Sequence, residues 1–287
     1  MAKITLMQGL PASGKSTKAQ EIVAQGNTVR INKDLLRTML HFDKFTGANE
    51  RLTGQAAHAL ARAYLMSDTN VVIDDTNLNP NTVQGWVDLA NDVQAKIQYS
   101  RMNTSVDECL TRDMHREKSV GRHVIIQMAL QYTDYMKGEK VVVCDLDGTL
   151  CDIRHRLHFV QNTDKKDWKG FFNGIPQDEV RMDVLDKLLA YEEAGNKIIL
   201  VSARPDTYRE QTETWLERAF SGYPLAHVLL MRRSGDTRND TEVKSDIYEK
   251  YLKNLSITKV IDDRPSVIRM WRSKGLDVDD VGEGVEF

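Results

Sequence analysis

Two short segments carry phosphate-handling residues at close spacing, and they imply opposite chemistries. Gly9-Leu10-Pro11-Ala12-Ser13-Gly14-Lys15-Ser16 has the pattern of a P-loop. Its glycines let the backbone fold around the phosphates of a nucleoside triphosphate, while N–H groups and a helix N-terminus face the negative charge. Gly9, Ser13, Gly14, Lys15, Ser16 and Thr17 are the expected contacts to ATP or another NTP. Lys15 would reach the transferred phosphate and the Ser16 hydroxyl suits Mg²⁺. Asp145-Leu146-Asp147-Gly148-Thr149 instead offers a carboxylate nucleophile. Asp145 would attack phosphorus to give an aspartyl-phosphate. Asp147 would protonate the leaving oxygen and then activate water, and Mg²⁺ would help keep Asp145 ionised. A chain that adds phosphate at one site and removes it at another must act on something with two phosphorylatable positions.

Further candidates follow apolar runs. Asp34, just beyond Val29-Arg30-Ile31, could accept the proton of an incoming hydroxyl, or could cap a helix. Arg37, one turn later, could hold a substrate phosphate through a bidentate contact, or be a surface charge. Asp75 closes the segment Ile73-Asp74-Asp75 at the same edge. Arg112, His115, Arg116 and Lys118 form a basic cluster that could fold over the NTP as a lid or be a solvated face. In the second half, Ser202 could hydrogen-bond phosphoryl oxygens and Lys244 could neutralise the aspartyl-phosphate. Asp262 and Asp263 add acidic metal ligands to Asp145 and Asp147.

Positioning these groups requires strand ends. Ile4 to Gln8, Val29 to Ile31, Val71 to Ile73 and Lys96 to Met102 read as strands separated by helical stretches. One of those stretches has Asn79 as N-cap and Pro80 at its first position. A break at Lys137-Gly138-Glu139-Lys140 precedes a second βα series, with strands at Val141 to Cys144, Lys197 to Val201, His227 to Met231 and Ile257 to Ile261. This predicts two α/β domains, 1–138 and 139–287, each a mainly parallel sheet covered by helices.

Composition sets the class. The chain has 287 residues, 41% hydrophobic and 28% charged, with net charge −3. It is not a broadly basic, duplex-coating protein, so nucleic-acid contact would be local. No apolar run has the length of a membrane span and the start lacks a signal-peptide profile, so a cytoplasmic setting is the default. Cys109, Cys144 and Cys151 have no metal-ligand spacing, and Cys144 reads as a small buried hydrophobe.

Taken together, these motifs resemble the bifunctional polynucleotide 5′-kinase/3′-phosphatases, the end-healing enzymes of the T-even phages. The likeness covers nearly the whole chain. It adds Asp75-Thr76-Asn77-Leu78-Asn79-Pro80, Ser202-Ala203-Arg204, Gly235-Asp236-Thr237-Arg238 leading to Asp240 and Lys244, and Ile261-Asp262-Asp263-Arg264 to the two motifs above. It implies a P-loop kinase fold followed by a haloacid dehalogenase-like fold with a small cap insertion. By resemblance, Asp34 is the general base, Arg37 binds the 3′-phosphate of the 5′-terminal nucleotide, and Arg116 is the lid arginine. Arg156 and Arg204 match substrate-binding arginines, and Asp240 matches a further essential acid. The likeness also implies RNA or DNA ends as substrates, a homo-oligomer (dimer or tetramer) and functional coupling to a ligase. The segment Arg154 to Ile175 departs from the T-even pattern. Its Phe171 and Phe172 could pack a cap or stack on bases. Two other readings share the motifs: a metabolite kinase fused to a metabolite phosphatase, and a nucleotide sensor gating a phosphatase.

Overall fold

Lys3–Gln8 (β1) is apolar on both faces, as a strand sandwiched between helical layers must be. Ile4 and Leu6 pack with Val71, Ile73 and Trp86, whereas Met7 packs with Val72 and Ala19 on the other side. In this computed structural model, residues 1–161, 164–223 and 225–284 are described. They fall into two units, Met1–Thr133 and Asp134–Phe287. Asn162 and Thr163, inside the divergent segment, lie outside the described residues.

In the first unit β1 is followed by α1 (Lys15–Ala24), β2 (Thr28–Ile31), α2 (Lys33–His41), α3 (Gly47–Met66) and β3 (Asn70–Ile73). Then come α4 (Pro80–Asp92), β4 (Lys96–Arg101), α5 (Val106–Met114) and α6 (Arg122–Tyr132). The strands run parallel in the order β2-β3-β1-β4. All their C-terminal ends therefore share one edge, and the loops after β1, β2 and β3 meet there.

The second unit begins with β5 (Lys140–Cys144), β6 (Cys151–Asp152), α7 (Trp168–Asn173), β7 (Glu179–Val180) and α8 (Met182–Glu193). It continues through β8 (Lys197–Pro205), α9 (Arg209–Ala219), β9 (His227–Arg232), α10 (Asp240–Ile247), β10 (Ser256–Asp262), α11 (Pro265–Ser273) and β11 (Val278–Asp280). Five parallel strands lie in the order β11-β10-β5-β8-β9. The antiparallel pair β6–β7, a 3₁₀ segment at Arg154–Phe159 and α7 form the small insertion. Both units are thus the expected α/β layers. Strand β11 escapes the sequence reading because its three residues include two aspartates. Phe171 is buried with Ile175 in the main core and Phe172 packs partly against it, so Phe171 serves packing. Cys109, Cys144 and Cys151 are buried free thiols. Among the described residues no helix is long and apolar enough to cross a membrane.

Candidate active sites

The P-loop leaves β1 and enters α1 through Gly14, which is the helix N-cap in the left-handed region at φ 92°. A side chain is excluded at Gly9, where a Cβ would stand 2.7 Å from Ser13 Oγ. Lys15 is buried, and its ammonium donates to the Leu10 carbonyl at 2.6 Å. Burial pushes the Lys15 ammonium below its usual value, with Asp74 acting against the shift. Ser16 and Thr17 are exposed on the first turn of α1. Arg112 belongs to the same place: its Nη1 is 3.6 Å from where a Gly14 side chain would begin. Arg116 lies one turn later, 3.4 Å from Asp113. Asp113 in turn accepts hydrogen bonds from Ser119 Oγ at 2.6 Å and the Gly121 amide at 3.0 Å. This fixes the loop after α5 that carries Arg116 and Lys118.

Asn32, not Asp34, caps α2 by accepting from the Leu35 amide at 2.9 Å. Asp34 is left 80% exposed in the first turn, free to face a ligand. Arg37 Nη1 donates to it at 2.7 Å. The guanidinium also makes a two-pronged contact with Glu50 of α3, whose second prong is 2.9 Å, so base and arginine are held as one unit. Asp75, in the loop after β3, is enclosed. It accepts the Lys33 amide at 3.1 Å, and burial pushes its carboxyl up against the opposing pull of Lys33.

In the second unit Asp145 follows β5 and Asp262 ends the neighbouring β10. Lys244 Nζ, from α10, lies 2.9 Å from an oxygen of each. Asp145, Asp262 and Asp263 each present a carboxylate oxygen within 4.8 Å of the others. Thr149 Oγ1 donates to Asp263 at 2.7 Å and Trp271 Nε1 to Asp262 at 3.1 Å, which orients the cluster. Three buried carboxylates against one ammonium leave an excess of negative charge that fits a divalent cation. Burial pushes Asp145 well up, with Lys244 opposing and the neighbouring aspartates adding to it. A cation there would hold it ionised. Lys244, although buried, is held above its usual value by Asp145 and Asp262.

Asp147 does not join this cluster. Its carboxylate is bound by Arg204 through Nε at 2.9 Å and Nη2 at 2.6 Å, and by Arg156 Nη2. Burial opposes ionisation, but Arg204 and Arg156 win and hold the carboxyl below the ordinary range. The Asp147 side chain, expected with Asp145, Asp262 and Asp263 as a metal ligand, lies instead beside Cys151 and Asp178. Ser202 and Arg204 share one face of β8, and Ser202 Oγ accepts the Arg204 amide at 3.2 Å. Asp240 opens α10, and its two oxygens are taken by Arg232 and Arg264. It ties the helix carrying Lys244 to β9 and to the start of α11.

Sequence reasoning missed three carboxylates. Glu50 anchors Arg37, and Asp113 organises the basic loop. Asp178, fully buried, binds Arg156 through Nε and Nη2, both at 2.6 Å, and Arg204 Nη2 at 2.9 Å. The signal that could have found Asp178 is the count of buried arginines, since two guanidiniums need more than one carboxylate.

Comparison with known proteins agrees with this layout. Residues 4–135 match an AAA domain family. A protein of Autographa californica nuclear polyhedrosis virus, named as a bifunctional polynucleotide kinase/RNA ligase, is 27% identical over 94% of this chain and 41% of its own length. The bifunctional polynucleotide phosphatase/kinase of Schizosaccharomyces pombe is 28% identical over 42% of this chain and 25% of its own. The chain thus spans 41% and 25% of these curated relatives. A chain in the solved Pnkp1/Rnl/Hen1 RNA repair complex is 27% identical, with 99% of this chain and 97% of that one covered at a TM-score of 0.43. Residues 139–285 match the polynucleotide kinase PNKP phosphatase domain, and the chain belongs to that family.

Proposed function

We propose that the chain heals broken nucleic-acid ends, phosphorylating a 5′-hydroxyl and hydrolysing a 3′-phosphate or 2′,3′-cyclic phosphate. The observation that carries the reading is the Asp34–Arg37 pair at the edge that also holds the P-loop. A base locked to an anion-binding group suits a hydroxyl nucleotide that bears a phosphate of its own. Arg37 would bind that 3′-phosphate, and Asp34 would take the 5′-OH proton as the oxygen attacks the γ-phosphorus and ADP leaves. Lys15, Arg112 and Arg116 would offset charge on the phosphates, with the basic loop set by Asp113.

At the second site, Asp145 would attack the 3′-phosphorus, and the ester P–O bond would break as Asp147 protonates the leaving oxygen. Asp147 would then take a proton from the water that hydrolyses the aspartyl-phosphate. Its clamp by Arg156 and Arg204 would keep it ionised before substrate enters. The negative charge of a phosphoryl group beside it would raise its pKa towards that of an acid. Ser202 and Lys244 would hold phosphoryl oxygens. Mg²⁺ at Ser16, and at Asp145, Asp262 and Asp263, would supply charge neutralisation. We place the enzyme as a homo-oligomer acting on RNA or DNA ends ahead of a ligase, as the name of the viral relative pairs kinase with RNA ligase.

The test follows both ends of a 5′-OH, 3′-phosphate oligonucleotide with ATP and Mg²⁺. Lys15→Ala or Asp34→Ala should abolish 5′ transfer and spare 3′ hydrolysis, and Asp145→Asn should do the reverse. A nucleoside phosphorylated as well as a nucleoside 3′-phosphate would instead favour a metabolite kinase.

A further inference from the structure

The turn joining α2 to α3 holds two phenylalanines in solvent beside the proposed kinase site. Phe42 is 92% exposed and Phe45 is 65% exposed. The Phe45 ring centroid lies 5.3 Å from the guanidinium carbon of Arg37. Phe42 and Asp43 are consecutive non-glycine residues in the left-handed region, at φ 50° and 61°. Such a backbone is costly for a bulky side chain, and glycine or asparagine would form the same helix end with less strain. Phe42 adds nothing to the core, so neither the turn nor packing accounts for an aromatic ring there. Strain of this kind collects where a ligand is held.

The turn is also stiff. The Phe42 amide donates to Thr38 O at 3.1 Å and the Lys44 amide to His41 O at 2.9 Å. Thr38 Oγ1 donates to Asp43, and Asn49 Nδ2 donates to Lys44 O at 2.8 Å. Lys118, on the basic loop after α5, reaches Asp43 at 3.4 Å. An aromatic turn fixed between Arg37 and a lysine-bearing loop combines ring faces with positive charge, the pairing that grips a single strand without reading its sequence.

We propose that Phe45 and Phe42 stack on the bases of the nucleotides immediately 3′ of the one being phosphorylated. This rests on the reading of the first unit as a polynucleotide 5′-kinase. Arg37 would bind the first phosphate, the Phe45 ring against it would receive the next base, and Phe42 would extend the platform. The site therefore selects a strand over a mononucleotide.

The test compares KM for a 5′-OH decanucleotide with KM for a nucleoside 3′-monophosphate. The wild type should favour the decanucleotide, and Phe42→Ala and Phe45→Ala should each erode that preference at least about fivefold, the low end of base–aromatic stacking. Phe45→Trp should keep it. Met66→Ala, an exposed apolar change about 28 Å away at the far end of α3, should also keep it. A 2-aminopurine placed second in the strand should be quenched on binding to wild type and not to Phe45→Ala. Alanine variants that retain the wild-type preference overturn the proposal. So does a change in oligomeric state with the preference retained, which would assign the face to a second copy. A wild type that transfers phosphate to the mononucleotide but to no oligonucleotide overturns the polynucleotide reading itself, and the two failures are told apart.

Discussion

Replacing Asp178 with asparagine would remove one negative charge from a buried four-group network while keeping its shape. Arg156 and Arg204 have no exposed side-chain surface and, among the described residues, are paired with two carboxylates, Asp147 and Asp178. The two arginines and two aspartates balance, two charges against two, with His155 Nε2 3.7 Å from Asp178 at the rim. Asp178→Asn leaves a net buried positive charge, and breaking such a pair costs about 3–5 kcal/mol. The backbone role is unaffected, since Trp215 Nε1 donates to the Asp178 carbonyl at 2.9 Å in either case. For a unit of this size each kcal/mol lowers Tm by about 2–4 °C, so the phosphatase transition should fall by about 6–20 °C. The loss is a large share of a typical stability of about 5–15 kcal/mol. Calorimetry of the full chain would read the shift, with 3′-phosphatase and 5′-kinase rates measured in parallel below the transition. Phosphatase activity should drop at least about tenfold because both guanidiniums lose their anchor. A Tm within 2 °C of wild type and a phosphatase rate within twofold would show that water already satisfies these arginines, and the argument would fall.

Gly282→Ala should abolish phosphatase activity by about 100-fold or more, because its Cβ would stand 2.1 Å from the Asp263 carbonyl oxygen and displace that loop. Steady-state hydrolysis of a 3′-phosphate oligonucleotide checks this. Glu50→Gln should raise the kinase KM for a 5′-OH, 3′-phosphorylated substrate about tenfold, since Arg37 loses a charged anchor. An equal KM would show that Asp34 alone suffices to place it. His58 stacks on Trp86 at 3.9 Å, and burial lowers its pKa, with Lys33 and Arg62 adding to the shift. The unfolded chain then binds a proton more readily than the folded one. This stability is present above about pH 6.5 and is lost as pH falls through the lowered folded value. Denaturation midpoints between pH 7.5 and 5.5 should fall in wild type and flatten in His58→Phe.

The sequence determined the groups that follow strands. Lys15 and Asp34 in the first unit, and Asp145, Asp262 and Asp263 in the second, are legible because each parallel sheet sends its own strands' C-terminal ends to one edge, whereas Ser202 lies inside β8. A residue just beyond an apolar run is thereby placed near the others whatever the packing details. Lys244 was legible only through its order along the chain, since it reaches the site from one turn inside α10. Partnership was not legible. That Asn32 and not Asp34 caps α2, that Glu50 grips Arg37, that Asp178 binds both arginines and that Asp240 serves two others were decided by tertiary packing. These groups sit on helices and in the insertion between β6 and β7, where no periodic signal marks which side chains face each other. Burial then forces each charge to find the nearest opposite one. The cost of leaving a buried guanidinium or carboxylate unpaired selects the partner, and that cost exists only once the chain has closed around it.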